Sequence, residues 1–155
     1  MVKKKYIVIS IIVIAVIAVI SSTFILINKN KKDKYDAIKY GKAEFVTSMK
    51  DINKDLPTII LFKSAMVKNS FYAERNLKLL HDDYGNQFNI VHANSDSLDN
   101  KEAIDLAKKY DVVGVPTLVA LDKNGKLIEK KEDVFSKEGI EKILKDMGVN
   151  FNEKQ

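Results

Sequence analysis

Residues 109–118 read Lys-Tyr-Asp-Val-Val-Gly-Val-Pro-Thr-Leu, and they constrain the fold more than any other stretch. They close a helical pattern, turn through Gly114 and enter an apolar strand pattern at Pro116. Proline has no N–H and a fixed φ, so at the head of a buried strand it needs a structural reason. One such reason is a cis peptide, which is almost confined to X–Pro bonds and is imposed by tight local geometry.

The elements on either side follow from periodicity. Residues 36–40 are weakly patterned, as an edge strand or a helical lead-in, and Gly41 breaks them. Residues 42–52 read as a helix with Phe45, Met49 and Ile52 on one face. After a polar turn, Pro57 opens the strand Thr-Ile-Ile-Leu-Phe at residues 58–62. A β-branched run without alternation predicts a central strand buried on both faces. A helix is expected from near Val67, with Met66, Ser70, Ala73, Leu77, Leu80 and Tyr84 on one face. On that face the Ser70 hydroxyl points inward, onto a backbone carbonyl. Residues 88–93 read as the next strand. Asp99-x-x-Glu102 resembles a capping box for a helix over 101–110 that carries Ile104 and Ala107 inward.

Strands at 116–121 and 126–131 flank Asp122-Lys123-Asn124-Gly125, a strong hairpin signal. Ser136 can cap a last helix whose packing face is Ile140, Ile143, Leu144 and Met147. Gly148 supplies its stop and Val149 the apolar contact beyond it. Residues 151–155 should fray. Strand–helix–strand units imply right-handed crossovers and parallel pairing. The hairpin adds an antiparallel strand. The expected class is α/β: a mixed sheet in a three-layer α/β/α sandwich over residues 36–150.

Ahead of this domain, a basic tail (residues 1–5) precedes an apolar run over residues 6–27. Twenty-two helical residues span about 33 Å, enough to cross a hydrocarbon core of about 30 Å. A cleaved signal peptide is the competing reading, but the run is long for one and Ile20 and Ile25 crowd the cut sites. The run is read as a transmembrane signal-anchor. Lys3–Lys5 favour a cytoplasmic N-terminus, and Lys29, Lys31, Lys32 and Lys34 on the far side nearly cancel that bias. The expectation is a single-pass membrane protein with an extracytoplasmic domain. Residues 28–35 form a lysine-rich linker. Residues 1–35 hold seven Lys and one Asp, and the remainder 19 Lys/Arg against 20 Asp/Glu. The positive charge therefore belongs to the membrane-flanking ends, and the near-neutral domain argues against nucleic-acid binding.

The order of elements resembles that of the thioredoxin superfamily. A buried strand ends at Phe62, and Val67 lies where the family has its first cysteine. Residues 109–118 resemble the family's cis-proline segment (Val115, Pro116, Thr117), and Asp122–Gly125 its hairpin turn. An N-terminal anchor before such a domain resembles the membrane-tethered thioredoxins of bacterial envelopes. In the place of the Cys-x-x-Cys motif stand Val67, Lys68, Asn69 and Ser70; a one-residue shift would give Met66 and Asn69 instead. The chain has no cysteine and no tryptophan, and Leu61 stands where many members keep a buried carboxylate. Dithiol exchange needs an attacking thiolate and a resolving thiol. The resemblance therefore implies no catalytic residue of this chain's own and a non-enzymatic role.

Other chemistry weighs less. His81 with Asp82 and Asp83 are consecutive at a helix end and do not converge on an ion, so no metal and no cofactor is expected. His92 reads as a sheet histidine. Ser70 lacks the base and the orienting group a nucleophile needs. A partner-binding surface is expected at Lys63, Met66, Val67, Lys68 and Val115, an apolar patch with two lysines suited to an acidic protein or extended peptide. The reading is a membrane-tethered, redox-inactive protein that binds or positions another envelope or secreted protein. The alternatives are an oxidoreductase using a partner's thiols, or an accessory subunit in secretion, cytochrome maturation or bacteriocin export.

Overall fold

The computed structural model describes residues 45–96 and 100–154. The basic tail, the apolar run at 6–27, the linker and the pattern at 36–40 lie outside these. Among the described residues, no helix is long and apolar enough to cross a membrane.

The elements are β1 (Thr58–Lys63), α1 (Lys68–Tyr84), β2 (Asn89–Asn94), α2 (Lys101–Lys109), β3 (Thr117–Leu121), β4 (Leu127–Glu132) and α3 (Lys137–Asp146). The four strands form one mixed sheet in the order β2-β1-β3-β4. β1 pairs in parallel with β2 and antiparallel with β3, and β3 pairs antiparallel with β4. Thr58 to Phe62 are all buried, as a β-branched central strand requires.

The strand's alternation divides the core into two layers. Ile59 and Leu61 join Ala73, Leu77 and Leu80 of α1 and Ile140, Ile143 and Leu144 of α3. Ile60 and Phe62 face the other way, onto Ala103 of α2, with Leu106 and Ala107 packed beside it. Two helices thus cover one face and one covers the other.

Several local expectations hold. Ser136 accepts the Gly139 N–H at 3.1 Å and caps α3. At the far end of α3, Gly148 lies at φ +90. There the Val149 N–H reaches the Leu144 carbonyl at 3.0 Å and the Gly148 N–H reaches the Lys145 carbonyl at 2.9 Å. That pair of bonds is a Schellman stop. In the hairpin, the Asp122 carboxylate accepts the N–H groups of Asn124 and Lys126.

Four expectations are corrected. Residues 46–52 form no helix. Val46 instead bridges Val91 beside β2, and the segment then turns through bends. The Ser48 and Asn53 side chains accept nearby backbone N–H groups, a local alternative to helical bonding. Phe45 packs on one core layer, whereas Met49 and Ile52 pack on the other, so their spacing is not a helical face.

The second correction concerns β3, which does not run parallel to β2. It lies beyond β1 and enters at Thr117 opposite Phe62, the end at which β1 finishes. The seven residues 110–116 can reach about 23 Å, enough to return the chain to that end. The third concerns α2, which starts from Asn100: its side chain accepts the Ala103 N–H at 3.1 Å. Glu102 is no capping-box partner, because it accepts the Met49 N–H at 2.8 Å. With that phase, Ala103 rather than Ile104 is the buried residue of α2. Fourth, Met66 precedes α1 and is 90% exposed, off the buried helical face.

Candidate functional site

The site forms at the end of the sheet where β1 stops and β3 starts. Beyond Lys63 the chain makes a tight turn. The Ser64 Oγ accepts the Met66 N–H at 3.0 Å, and the Ser64 carbonyl accepts the Val67 N–H at 3.3 Å. The loop after β2 fastens this turn. The Ser95 N–H and hydroxyl both donate to the Lys63 carbonyl, and the Asp96 carboxylate accepts the Ala65 N–H at 2.7 Å. That backbone bond, followed by one from the Ser64 side chain, holds the Asp96 carboxyl below its ordinary range.

α1 begins directly after the turn. Val67 is its N-cap, in extended conformation with no side-chain cap, and the first turn carries no acidic residue. Such an end leaves backbone N–H groups and the positive end of the helix dipole without an anionic partner on that turn. Ser70 is fully buried. Its Oγ accepts the Ser64 N–H at 3.3 Å, so the hydroxyl oxygen serves a backbone donor instead of the expected carbonyl.

The Val115–Pro116 peptide is cis. The Thr117 hydroxyl donates to the Gly114 carbonyl at 2.6 Å and tightens the loop. Asp133 joins this loop to the start of α1. Its N–H donates to the Pro116 carbonyl at 2.7 Å, and its Oδ1 accepts from Asn69 Nδ2 at 2.9 Å. One residue just past β4 therefore links positions 69 and 116.

The surface residues sort differently from the sequence expectation. Lys63 is mostly buried and its ammonium pairs with Glu74, which also takes Lys78 at 3.6 Å. Its charge is therefore engaged within the domain. Lys68 is exposed, its Nζ 5.8 Å from the centre of the Tyr72 ring. Val67 is half-buried, and Val115 packs against the α2-side core. Met66, at 90% exposure, is joined by Val113 at 81% and Phe71 at 41%.

Val113, Asp96 and Asp133 were not singled out from the sequence. For Val113 the signal was present. Of the adjacent pair Val112-Val113, Val112 packs on the core and Val113 is left in solvent. Asp96 and Asp133 act across 31 and 64 residues of chain, which no local pattern reports.

His92 is half-buried on β2. Burial, then the Lys63 charge, pushes its imidazole below the usual value, with Glu74 and Asp96 opposing. His81 is lowered chiefly by burial, against a backbone bond at Phe88 and the Asp82 charge. Among the described residues, no group of three or more His, Asp or Glu is placed to hold a metal ion.

No family model matches the chain. No curated protein sequence matches it. Solved structures do. A thioredoxin-like protein from Clostridium perfringens is 33% identical, with a TM-score of 0.59, over 68% of this chain and 82% of that one. The pneumococcal exposed lipoprotein thioredoxin from Streptococcus pneumoniae shares 18% identity at a TM-score of 0.52, over 60% and 86% of the two chains. Trxlp from Edwardsiella tarda shares 15% at 0.50, over 58% and 82%. The last two show the fold alone. The first adds a third of its residues in common over most of its length, so this cysteine-free chain belongs to the thioredoxin superfamily.

Proposed function

We propose that this chain is a redox-inactive docking protein, held at a membrane by residues 6–27, that binds an extended segment of another envelope or secreted protein. The observation that carries the reading is the exposure of Met66, in the turn between β1 and α1, and of Val113, in the loop that leads to cis-Pro116. Exposed apolar side chains in the two loops offer a partner hydrocarbon to bury against. An extended peptide laid along residues 113–115 would be held by backbone bonds, with its side chains against Met66 and Val113. Lys68 and the uncapped start of α1 favour a partner with acidic side chains there.

Thiol chemistry has no agent in this chain. Val67 and Ser70 stand at the motif positions, and no cysteine occurs anywhere in the sequence. An insulin-reduction assay should accordingly give no turnover above a no-protein control. Turnover would favour the alternative, an oxidoreductase working through a partner's thiols.

The positive test is photo-crosslinking from position 66 in the native membrane, against the Val113→Asp and Lys68→Glu variants. Val113 is preferred to Val115 because it is free of the core, so an aspartate there alters the surface and not the packing. Specific adducts that both variants lose support the docking surface. Adducts that persist unchanged in both place the contact elsewhere.

A further inference from the structure

The chain has four methionines, of which Met49, Met66 and Met147 are among the described residues. Their environments differ sharply. Met147 is 8% exposed within the α1/α3 core layer, and Met49 packs against the α2-side layer. Met66 is 90% exposed. Its backbone N–H is held by Ser64 Oγ, and its neighbour Ala65 is held by Asp96, so the loop that presents it is fastened at two points. The thioether is thus offered to solvent on a fixed support.

Accessibility governs how fast a methionine is oxidised, and the product changes the side chain from flexible and apolar to polar and chiral. We propose that Met66 is an oxidation site through which two-electron oxidants switch off docking at this surface. The proposal rests on the docking reading above. The step is an oxygen-atom transfer from a peroxide to the Met66 sulfur. The sulfur lone pair attacks the distal peroxide oxygen, the O–O bond breaks, and an S–O bond forms. The thioether becomes a sulfoxide, hydrogen peroxide leaves as water, and the side chain neither gains nor loses a proton. A docked partner would then have to bury a strong S=O acceptor in a contact shaped for hydrocarbon, and an unmatched buried polar group opposes binding. The domain would thereby respond to oxidants without a thiol, and sulfoxide reduction restores it.

The test uses the full chain in detergent and a fluorescein-labelled, Thr/Val-rich extended peptide with an acidic end as the probe. After mild hydrogen peroxide, peptide mapping by mass spectrometry should find Met66 oxidised roughly tenfold or more faster than Met49 and Met147. Fluorescence anisotropy should show the oxidised protein binding the probe about tenfold more weakly. Treatment with methionine sulfoxide reductases should return the affinity. The Met66→Leu variant keeps the apolar bulk without the sulfur and should hold its affinity through the same peroxide treatment.

Equal oxidation of the three methionines overturns the proposal. So does complete Met66 oxidation with unchanged binding; if Val113→Asp still weakens the probe, docking stands and only the switch falls. If the untreated protein does not bind the probe, or Val113→Asp binds it as well as wild type, the docking reading fails and takes the switch with it.

Discussion

His92 carries a cost that acidification should expose. Its Nε2 is buried without a hydrogen-bond partner among the described residues, and its ring meets Phe45 edge-on at 6.1 Å. Lys63 and Lys78 disfavour a second positive charge there, while Glu74 and Asp96 favour one. Burial is the largest cause, and it places the folded pKa below the ordinary 6.5. In the interval between the two values the unfolded chain binds more protons than the folded one, so stability falls as pH falls. The loss begins near the unfolded value of 6.5 and continues until pH has passed the lowered folded value. His81 is shifted the same way and adds to it. Thermal melts from pH 7.5 to 5 should show a falling Tm. His92→Gln should flatten the slope in part, and adding His81→Gln should flatten it further. An unchanged slope in the double variant would assign the pH dependence to other groups.

The helix ends show how far local chemistry reaches. α3 stops at Gly148, at φ +90, whereas α2 stops at Asp111, at φ +50. The bonds are the same in kind: the Val112 N–H reaches the Ala107 carbonyl at 2.9 Å and the Asp111 N–H reaches the Lys108 carbonyl at 3.3 Å. Aspartate tolerates the left-handed region better than most residues but less well than glycine. Asp111→Gly should therefore stabilise the domain by about 0.5–1 kcal/mol. Its carboxylate is almost fully exposed and only 3.9 Å from Lys130, so little is lost with it. Gly148→Ala should destabilise by about 1–2 kcal/mol for the converse reason. Urea denaturation of the two variants checks both signs. The α3 stop was legible because Gly148 and Val149 form a local signature. The α2 stop was not, because Asp111 does a glycine's work and looks like a polar loop residue. The same limit explains residues 46–52. Their apolar spacing was real, but Phe45 answers to one core layer and Met49 and Ile52 to the other.

At the scale of the whole chain, what could be read early was what two or three neighbouring residues decide: the strand at 58–62, the hairpin and the turn at Pro116. The direction of β3, the engagement of Lys63 by Glu74 and the Asp133 link depend on elements that meet only after folding. Among the described residues, the two core layers draw their side chains from residues 45–151. Charge divides the sequence near residue 35, with an excess of six positive charges in residues 1–35 and of one negative charge in the rest. A chain so divided should separate into a membrane-bound part and a soluble part. The full chain is expected to resist extraction from membranes by alkaline carbonate. A variant lacking residues 1–35 should stay in the soluble fraction with the same far-ultraviolet circular dichroism. Because the sequence has no cysteine, Lys123→Cys places a single thiol on the exposed hairpin, and a membrane-impermeant maleimide should label it in intact cells. Carbonate extraction of the full chain would remove the proposed tether. Labelling only after lysis would keep the tether and turn the domain to the cytoplasmic side, where its partners would be of a different kind.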